Sequence, residues 1–378
     1  MKIVADSNIP FAKQACAALG DVEILKASEL SPERLRDCDV LLCRSTRRIN
    51  AAVLDGTKVR FVATATIGVD HVDLEYLARR GIGFASAPGS NANSVSEYIT
   101  SALLILARKL GRPLEQMSIG IVGVGNVGTR VAKKAEALGM QVILNDPPLA
   151  RATGELRYRP LEDLMEADVV TMHVPLAKSG PDRTYHMAGP GFFSALKRGA
   201  IFINSARGGV MDELALHRAI DSGHVAGVVL DVWEHEPMFD ECLVSKVDIA
   251  TPHIAGHSFD GKVNGTKMVY DAACNFLGVA PTWSPDRVMP APAVPRIPVD
   301  VGVREDEEVI RDAVLGVYDV RNDDAKFRDV PPGDGRGDYF EALRRNYWPR
   351  REFHNTTVEL KGGGAALRAK LAGLGFKL

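Results

Sequence analysis

A glycine-rich run in the middle of the chain constrains its fold more than any other sequence feature. The run is GVGNVG, residues 123–128, and it lies between an apolar stretch over 117–122 and a helical pattern over 129–138. In such a turn the first glycine allows a tight bend, and the second lets a ligand come close to the main chain. The third lets the helix pack closely on the sheet. The order of strand, glycine turn and helix predicts a βα unit in a parallel sheet.

This turn also has the spacing of a dinucleotide-binding fingerprint. A second apolar stretch, residues 141–145, ends at Asp146, which is the acidic residue expected about 20 residues after the first glycine. The pyrophosphate of such a ligand binds the N–H groups at the helix N-terminus. The residues predicted to contact it are Gly123, Gly125, Asn126, Val127 and Gly128.

Asp146 favours NAD over NADP as the ligand. A carboxylate at the end of this strand accepts hydrogen bonds from the ribose hydroxyls and repels a 2′-phosphate. The nearby Arg151 keeps NADP open as the alternative. The predicted cofactor is NAD.

Length and composition predict two or three domains with ample cores. The chain has 378 residues, 46% of them hydrophobic, and a net charge of -2, so no overall field attracts nucleic acid or an anionic membrane surface. The five cysteines are scattered without C-x-x-C spacing, which argues against a disulfide framework or a zinc site. We expect no metal and no nucleic-acid partner.

The N-terminus indicates that the protein is neither exported nor inserted into a membrane. Asp6 interrupts the first apolar residues, and no apolar run approaches membrane-spanning length. With the cysteine usage, this predicts a cytoplasmic location and no membrane partner.

Alternating strand and helix patterns predict an α/β fold with two doubly wound parallel-sheet domains. We expect a flavodoxin-like substrate domain, then a Rossmann NAD domain, joined by a long helix over 93–110. The predicted strands cover 2–5, 22–25, 40–43, 61–64, 83–86, 117–122, 141–145, 169–173, 200–204, 225–230 and 248–250.

The domain boundaries follow from this pattern. We assign 1–92 with 253–280 to the substrate domain, 93–252 to the NAD-binding domain, and 281–378 to a small α+β C-terminal dimerisation domain. The last begins with a proline-rich linker over 281–298. Its predicted elements are helices over 306–318, 339–347 and 365–374 and a strand over 356–360. A unit of this size often gains stability from a partner, and we expect a homodimer.

Three polar segments follow strands of the second sheet and carry candidate chemistry. They are NSARGGVMDE (204–213), DVWEHEP (231–237) and TPHIAG (251–256). Oxidising an alcohol by hydride transfer needs a base near its working pH, a carboxylate to orient that base, and a cation to polarise the carbonyl oxygen. The segments supply each of these residue types, and Glu234 beside Glu236 offers an alternative carboxylate.

Together the three segments resemble the NAD-dependent D-2-hydroxyacid dehydrogenase family. The resemblance implies that Arg207, Glu236 and His253 form the catalytic set. It assigns no acid–base role to His71 or His173. Further residues expected to bind NAD are Pro175, Ser205, Ala206, Asp231 and Gly256.

Two loops of the first unit predict the substrate. Arg44 and Ser45 follow a strand in CRSTRR (43–48) and form a plausible phosphate cradle, whereas Arg47 and Arg48 are expected to be solvated. The resemblance adds Thr66 and the position of His257, where related enzymes commonly have a substrate-contacting tyrosine. We therefore predict a small phosphorylated 2-hydroxy acid as substrate.

Two alternatives remain open at this point. One is another dehydrogenase of the same family, such as one acting on 3-phosphoglycerate. The other is a non-catalytic NAD-sensing protein, which the presence of all three catalytic residue types disfavours. In the C-terminal unit, the runs EDEE (305–308) and RRNYWPRR (344–351) favour an association surface over a ligand pocket.

Overall fold

The computed structural model describes residues 1–331 and 333–378. In this part of the chain the strands are β1 Lys2–Asp6, β2 Asp21–Leu25, β3 Val40–Cys43, β4 Phe61–Thr64, β5 Gly83–Ala85, β6 Ser118–Val122, β7 Gln141–Asn145, β8 Val169–Met172, β9 Ala200–Asn204, β10 Val225–Leu230, β11 Ile249–Ala250, β12 Arg296–Asp300 and β13 Thr357–Lys361. The α-helices are α1 Ala12–Cys16, α2 Pro32–Leu35, α3 Ala51–Leu54, α4 Leu74–Arg79, α5 Ala92–Leu110, α6 Asn126–Ala137, α7 Pro147–Thr153, α8 Pro190–Ala195, α9 Glu213–Asp221, α10 Glu241–Lys246, α11 Phe259–Leu277, α12 Asp306–Val317, α13 Arg321–Arg328, α14 Arg336–Arg345 and α15 Ala365–Leu374.

The described residues divide into two compact units, the first of which is Met1–Asn91 with Ser258–Ala291. Its five strands are parallel in the order β2-β1-β3-β4-β5, the flavodoxin-like order expected from the sequence. Alternate strand residues enter two separate hydrophobic clusters, one with α1 and α11 and the other with α2, α3 and α4. The sheet is therefore covered on both faces.

The second unit is Ala92–His257 with Pro292–Leu378. Its main sheet is parallel in the order β11-β10-β9-β8-β6-β7, and a parallel bridge between Leu144 and Tyr158 continues it beyond β7. The chain reverses direction across the sheet between β6 and β8, which is where open α/β sheets bind ligands. The glycine turn after β6 lies at this switch point, and the Rossmann fold predicted for this region is confirmed.

The C-terminal segment of the second unit shares its core with the Rossmann sheet. Strands β12 and β13 pair in parallel, and buried residues of α12 and α15 belong to the same hydrophobic cluster as those of α5 and α6. The small α+β unit is confirmed as a fold. The division into three domains at residues 92, 252 and 280 stays a prediction.

Two elements of this segment differ from the sequence-based prediction. Strand β12 begins inside the predicted linker, with Pro298 at a paired position; a proline is tolerated there because β12 is an edge strand. The sequence does not predict helix α13, because its segment RNDDAKFR has almost no apolar stripe. None of the described helices combines the length and apolar composition needed to cross a bilayer.

Candidate active site

His253 lies in the loop that follows β11, here called the catalytic loop and defined as residues 251–257. Its ring Nδ1 is 2.7 Å from Glu236 Oε2, and the other carboxylate oxygen of Glu236 accepts the N–H of Trp233 at 2.9 Å. Burial alone would raise the pKa of Glu236, but the adjacent His253 and these hydrogen bonds outweigh it and lower that pKa. An ionised Glu236 therefore orients the imidazole.

The second carboxylate of the sequence DVWEHEP has a different partner. Glu234 Oε1 lies 2.6 Å from His186 Nε2, and the Glu234 N–H donates to Glu213 at 2.8 Å. The structure therefore brings Glu236, and not Glu234, to His253.

The backbone of His253 is held in an uncommon conformation. Its φ is 56°, in the left-handed region that costs a non-glycine residue energy and persists only where the surroundings over-determine it. The His253 N–H donates to the backbone oxygen of Asp231 at 2.6 Å. Strained backbone of this kind is concentrated at functional sites.

Asp231 anchors the loop with its side chain as well. Oδ1 accepts the Thr251 hydroxyl at 2.7 Å and the Ile254 N–H at 2.8 Å, and Oδ2 accepts the Ala255 N–H at 3.0 Å. Burial raises the pKa of this carboxyl to about 6. Both oxygens thus serve the loop, and the contact with NAD assigned to Asp231 by resemblance stays a prediction.

Arg207 follows β9 on a turn that packs against the segment of Glu236. A Cβ on the next residue, Gly208, would lie 1.8 Å from the backbone oxygen of Trp233, so only glycine permits this approach. The Arg207 backbone oxygen accepts the Asn204 side-chain amide at 3.0 Å, and its Nη1 donates to Ala206 O at 2.8 Å. The turn therefore brings the segment of Arg207 against that of Glu236.

The glycine turn fits a dinucleotide. Gly123 has φ 89°, and a Cβ on Gly128 would lie 2.0 Å from the Gly123 oxygen, so these two glycines serve the turn and the packing. A Cβ on Gly125 would meet nothing within 4 Å, which leaves the backbone open to a ligand. Gly125 is the N-cap residue of α6 and provides no side-chain cap, so the first N–H groups of α6, including those of Asn126 and Val127, suit a pyrophosphate.

Asp146 stands at the edge of this turn. Its Oδ2 accepts the Val124 N–H at 2.8 Å, and its Oδ1 caps α7 through the Leu149 N–H at 2.9 Å. The competing cation, Arg151, pairs with Asp182 at 2.5 Å. This arrangement favours the ribose hydroxyls of NAD over a 2′-phosphate.

Other residues expected near the cofactor lie at the ends of β8, β9 and the catalytic loop. The Ser205 hydroxyl oxygen is buried with no hydrogen-bond partner among the described residues, as suits a ligand contact. Pro175 O accepts the Thr184 hydroxyl, and the Ala206 N–H donates to Asn204. Gly256 is half-buried in the loop.

Neither His71 nor His173 has the environment of a proton carrier. Burial lowers the pKa of His173 to about 3, so its ring is neutral, and Nε2 lies 3.0 Å from the Thr171 hydroxyl. Burial also lowers the pKa of His71, whose Nε2 lies 3.0 Å from the Thr64 hydroxyl.

The predicted substrate residues of the first unit follow its strands. Thr66 donates its hydroxyl to Gly68 O at 2.9 Å and contacts the Thr64 hydroxyl at 2.8 Å. After β3, Arg44 is half-buried and Ser45 exposed. Arg47 and Arg48 are exposed, as expected of a solvated turn.

The last predicted substrate residue, His257, belongs to the second unit. Its ring meets Tyr347 of the C-terminal segment edge-on, with centroids 5.7 Å apart. Sequence reasoning missed the groups that brace this loop from afar, such as Tyr98, whose hydroxyl lies 2.8 Å from that of Thr251. No local pattern points to a pair so distant in sequence.

Comparison with known proteins agrees with this geometry. Residues 102–255 match the model of the D-isomer specific 2-hydroxyacid dehydrogenase, NAD binding domain, and residues 288–375 match a domain of unknown function. The fold and the site thus define an NAD-binding dehydrogenase, and the predicted cofactor is confirmed.

Full-length relatives narrow the class. An erythronate-4-phosphate dehydrogenase of Klebsiella pneumoniae is 44% identical over 100% of this chain and 98% of its own. An enzyme of the same name from Salinibacter ruber is 46% identical over 95% of this chain and 94% of its own. Another, from Marinobacter nauticus, is 41% identical over the full length of both chains. The chain belongs to the erythronate-4-phosphate dehydrogenases of the D-isomer specific 2-hydroxyacid dehydrogenase family.

Solved structures share the fold over most of the chain. An NAD+-bound 3-phosphoglycerate dehydrogenase of Entamoeba histolytica has a TM-score of 0.64 at 26% identity, over 74% of this chain and 95% of its own. A protein of Thermus thermophilus has a TM-score of 0.62 at 28% identity, over 74% of this chain and 98% of its own.

Proposed function

We propose that this chain catalyses the NAD-dependent oxidation of 4-phospho-D-erythronate to 3-hydroxy-2-oxo-4-phosphooxybutanoate, a step in the biosynthesis of pyridoxal 5′-phosphate (vitamin B6). The observation that carries the proposal is the Glu236–His253 pair, at 2.7 Å, on a strained loop of an NAD-binding unit. The identity of the substrate is supported by the full-length relatives, which carry this enzyme name.

His253 acts as the general base. Because its Nδ1–H donates to the ionised Glu236, Nε2 carries the lone pair and accepts the proton of the substrate 2-hydroxyl. The glycine turn would hold NAD, which would supply the hydride acceptor for the carbon that bears this hydroxyl. The C–H and O–H bonds break, a C=O bond forms, and the proton stays on Nε2.

Arg207 binds and polarises the reacting end of the substrate. Its guanidinium stays charged, and its planar fork suits both the 2-oxygen and the neighbouring carboxylate. We assign recognition of the substrate phosphate to Arg44 and Ser45, with Thr66 and His257 as further contacts. These roles rest on position and residue chemistry.

A direct spectrophotometric assay tests the proposed function. Purified protein, NAD and 4-phospho-D-erythronate are mixed, and the absorbance of reduced nicotinamide is recorded; a rate above that with 3-phosphoglycerate is expected. A faster rate with 3-phosphoglycerate would identify another family dehydrogenase. Tight NAD binding by calorimetry with no turnover of any 2-hydroxy acid would identify an NAD-sensing protein instead.

Replacing Asp146 with alanine should narrow the preference for NAD. The carboxylate that repels a 2′-phosphate is removed, so we expect the ratio of kcat/KM for NAD to that for NADP to fall by about 10- to 100-fold. Steady-state kinetics with each cofactor measure the ratio. Asp182→Ala, which instead releases Arg151, is the matched control. A larger fall of the NAD to NADP ratio in that variant would show that Arg151, and not Asp146, governs the cofactor preference.

We also propose that the chain forms a homodimer through its C-terminal segment in the cytoplasm. Val303, in the turn after β12, is fully exposed, and within the described residues β12 pairs only with β13, so its outer edge is open to another chain. The location is supported by the five cysteines, which are all free thiols.

Val303→Lys should shift the full chain from dimer to monomer, because it places a charge in the proposed interface. Sedimentation velocity at micromolar concentration measures the change. Leu156→Lys alters another highly exposed apolar residue, in the NAD-binding region, and should leave the dimer intact. A monomeric wild-type chain would contradict the proposed dimer. If only Leu156→Lys dissociated the dimer, the interface would lie in the NAD-binding region instead.

A further inference from the structure

The catalytic loop is held from a second direction, by the C-terminal segment. Arg350 Nη2 donates to Ala255 O at 3.2 Å, two residues beyond His253, and to Ser94 O at 3.0 Å. The loop oxygen and the first turn of α5 are thus joined by one guanidinium group. This contact lies within the second unit.

The surroundings of Arg350 leave it little freedom. Its side chain is fully buried, with 0% exposed, and the guanidinium lies over the Tyr318 ring at 3.9 Å from the centroid. A buried charge is costly unless its partners have good geometry. Among the described residues its Nε and Nη1 have no hydrogen-bond partner, so the guanidinium acts on its neighbours through Nη2 and through the Tyr318 ring.

Neighbouring residues fasten the same segment to α5. Glu352 accepts the Ser94 hydroxyl at 2.7 Å and the Asn93 amide at 2.6 Å. The Phe353 N–H donates to Glu97 at 2.9 Å. Arg350 is thus presented to the catalytic loop from a rigid support.

Asp231 and Arg350 bind complementary backbone groups of the catalytic loop. Asp231 binds the N–H groups of Ile254 and Ala255, whereas Arg350 binds the carbonyl oxygen of Ala255. Just before the loop, at the end of β11, Asp324 of α13 accepts the Ala250 N–H at 2.7 Å. The strained backbone of His253 lies between these fixed points.

We propose that Arg350 is a positioning residue, through which the C-terminal segment holds His253 in place for catalysis within the same chain. The proposal rests on the proposed role of His253 as the base. On this proposal, residues 288–375, which match a domain of unknown function, contribute to catalysis independently of any dimer contact.

Kinetics of Arg350→Met and Arg350→Lys test the proposal. We expect Arg350→Met to lower kcat by about 10- to 100-fold, with KM and the NAD dissociation constant within about twofold, because misplacement of a reacting group slows chemistry more than binding. Arg350→Lys, which keeps a donor, should recover part of the loss. Arg368→Met, at an exposed arginine of α15, is the control.

Hydrogen–deuterium exchange supplies a readout that needs no activity. Amides of residues 253–255 should exchange about tenfold faster in Arg350→Met and by a smaller factor in Arg350→Lys, while those of 118–137 keep the wild-type rate in both variants. Should Arg350→Met fail to fold, Arg350→Lys decides alone. Unchanged kcat and unchanged exchange in a folded variant, or faster exchange throughout the unit, overturns the proposal. An inactive wild-type enzyme would refute the proposed function, while the exchange experiment would still test the brace.

Discussion

Replacing His253 with alanine lowers kcat by about two to four orders of magnitude, the contribution expected of a general base. The variant keeps Arg207 and the glycine turn, so affinity for NAD changes little. Stopped-flow measurement of nicotinamide reduction gives the chemical step, and calorimetry gives the affinity. The loss should be largest near neutral pH and shrink at high pH, where hydroxide replaces the missing base.

The protein contains a matched control for this substitution. His186 is also paired with a glutamate, at 2.6 Å from Glu234, but it lies outside the catalytic loop. His186→Ala should keep kcat within about threefold of wild type, as expected for a residue outside the reaction. Near-normal kcat in His253→Ala, or an equal loss of kcat in His186→Ala, would contradict the assignment of His253 as the general base.

Arg207→Lys should lower kcat/KM by about two to three orders of magnitude, comparable with the loss of one preorganised donor to a developing oxyanion. Lysine keeps the charge but lacks the planar fork that binds two oxygens at once. Both kcat and KM should therefore worsen. Steady-state kinetics over a range of substrate concentrations separate the two effects.

Arg218→Lys, on the exposed face of α9, makes the same chemical change away from the site and should be silent. If Arg207→Lys raised KM alone, the guanidinium would serve ground-state binding of the carboxylate and not the transition state.

Much of this fold could be predicted because its signals are local. Buried parallel strands read as short apolar runs, so β3, β4, β7, β9 and β10 have the predicted bounds. The glycine turn, Asp146 and the three polar segments each follow a strand, and a parallel sheet brings such ends to one edge. Helix α6 begins at Asn126, ahead of the predicted residue 129, because the glycines that favour a turn also form its first positions.

What the sequence could not predict depends on contacts between distant residues. The resemblance implies the pairing of His253 with Glu236, but nothing in the sequence indicates that His186 engages Glu234. Arg350 is one of several arginines in a basic run, and only the folded chain shows that it is the one with no exposed surface. The same run favours an association surface on sequence grounds, although its Arg350 and Arg351 are buried within their own chain.

The hydrophobic cluster that joins α5 and α6 to α12 and α15 has a consequence for how this enzyme tolerates truncation. Loss of the residues after 291 would remove the apolar side chains of α12 and α15 from this cluster and leave its α5 and α6 members without them, in the region that supports the NAD-binding turn. Shortened chains would aggregate or be degraded, and would not survive as a smaller dehydrogenase. A nonsense mutation late in the gene should therefore resemble a null allele.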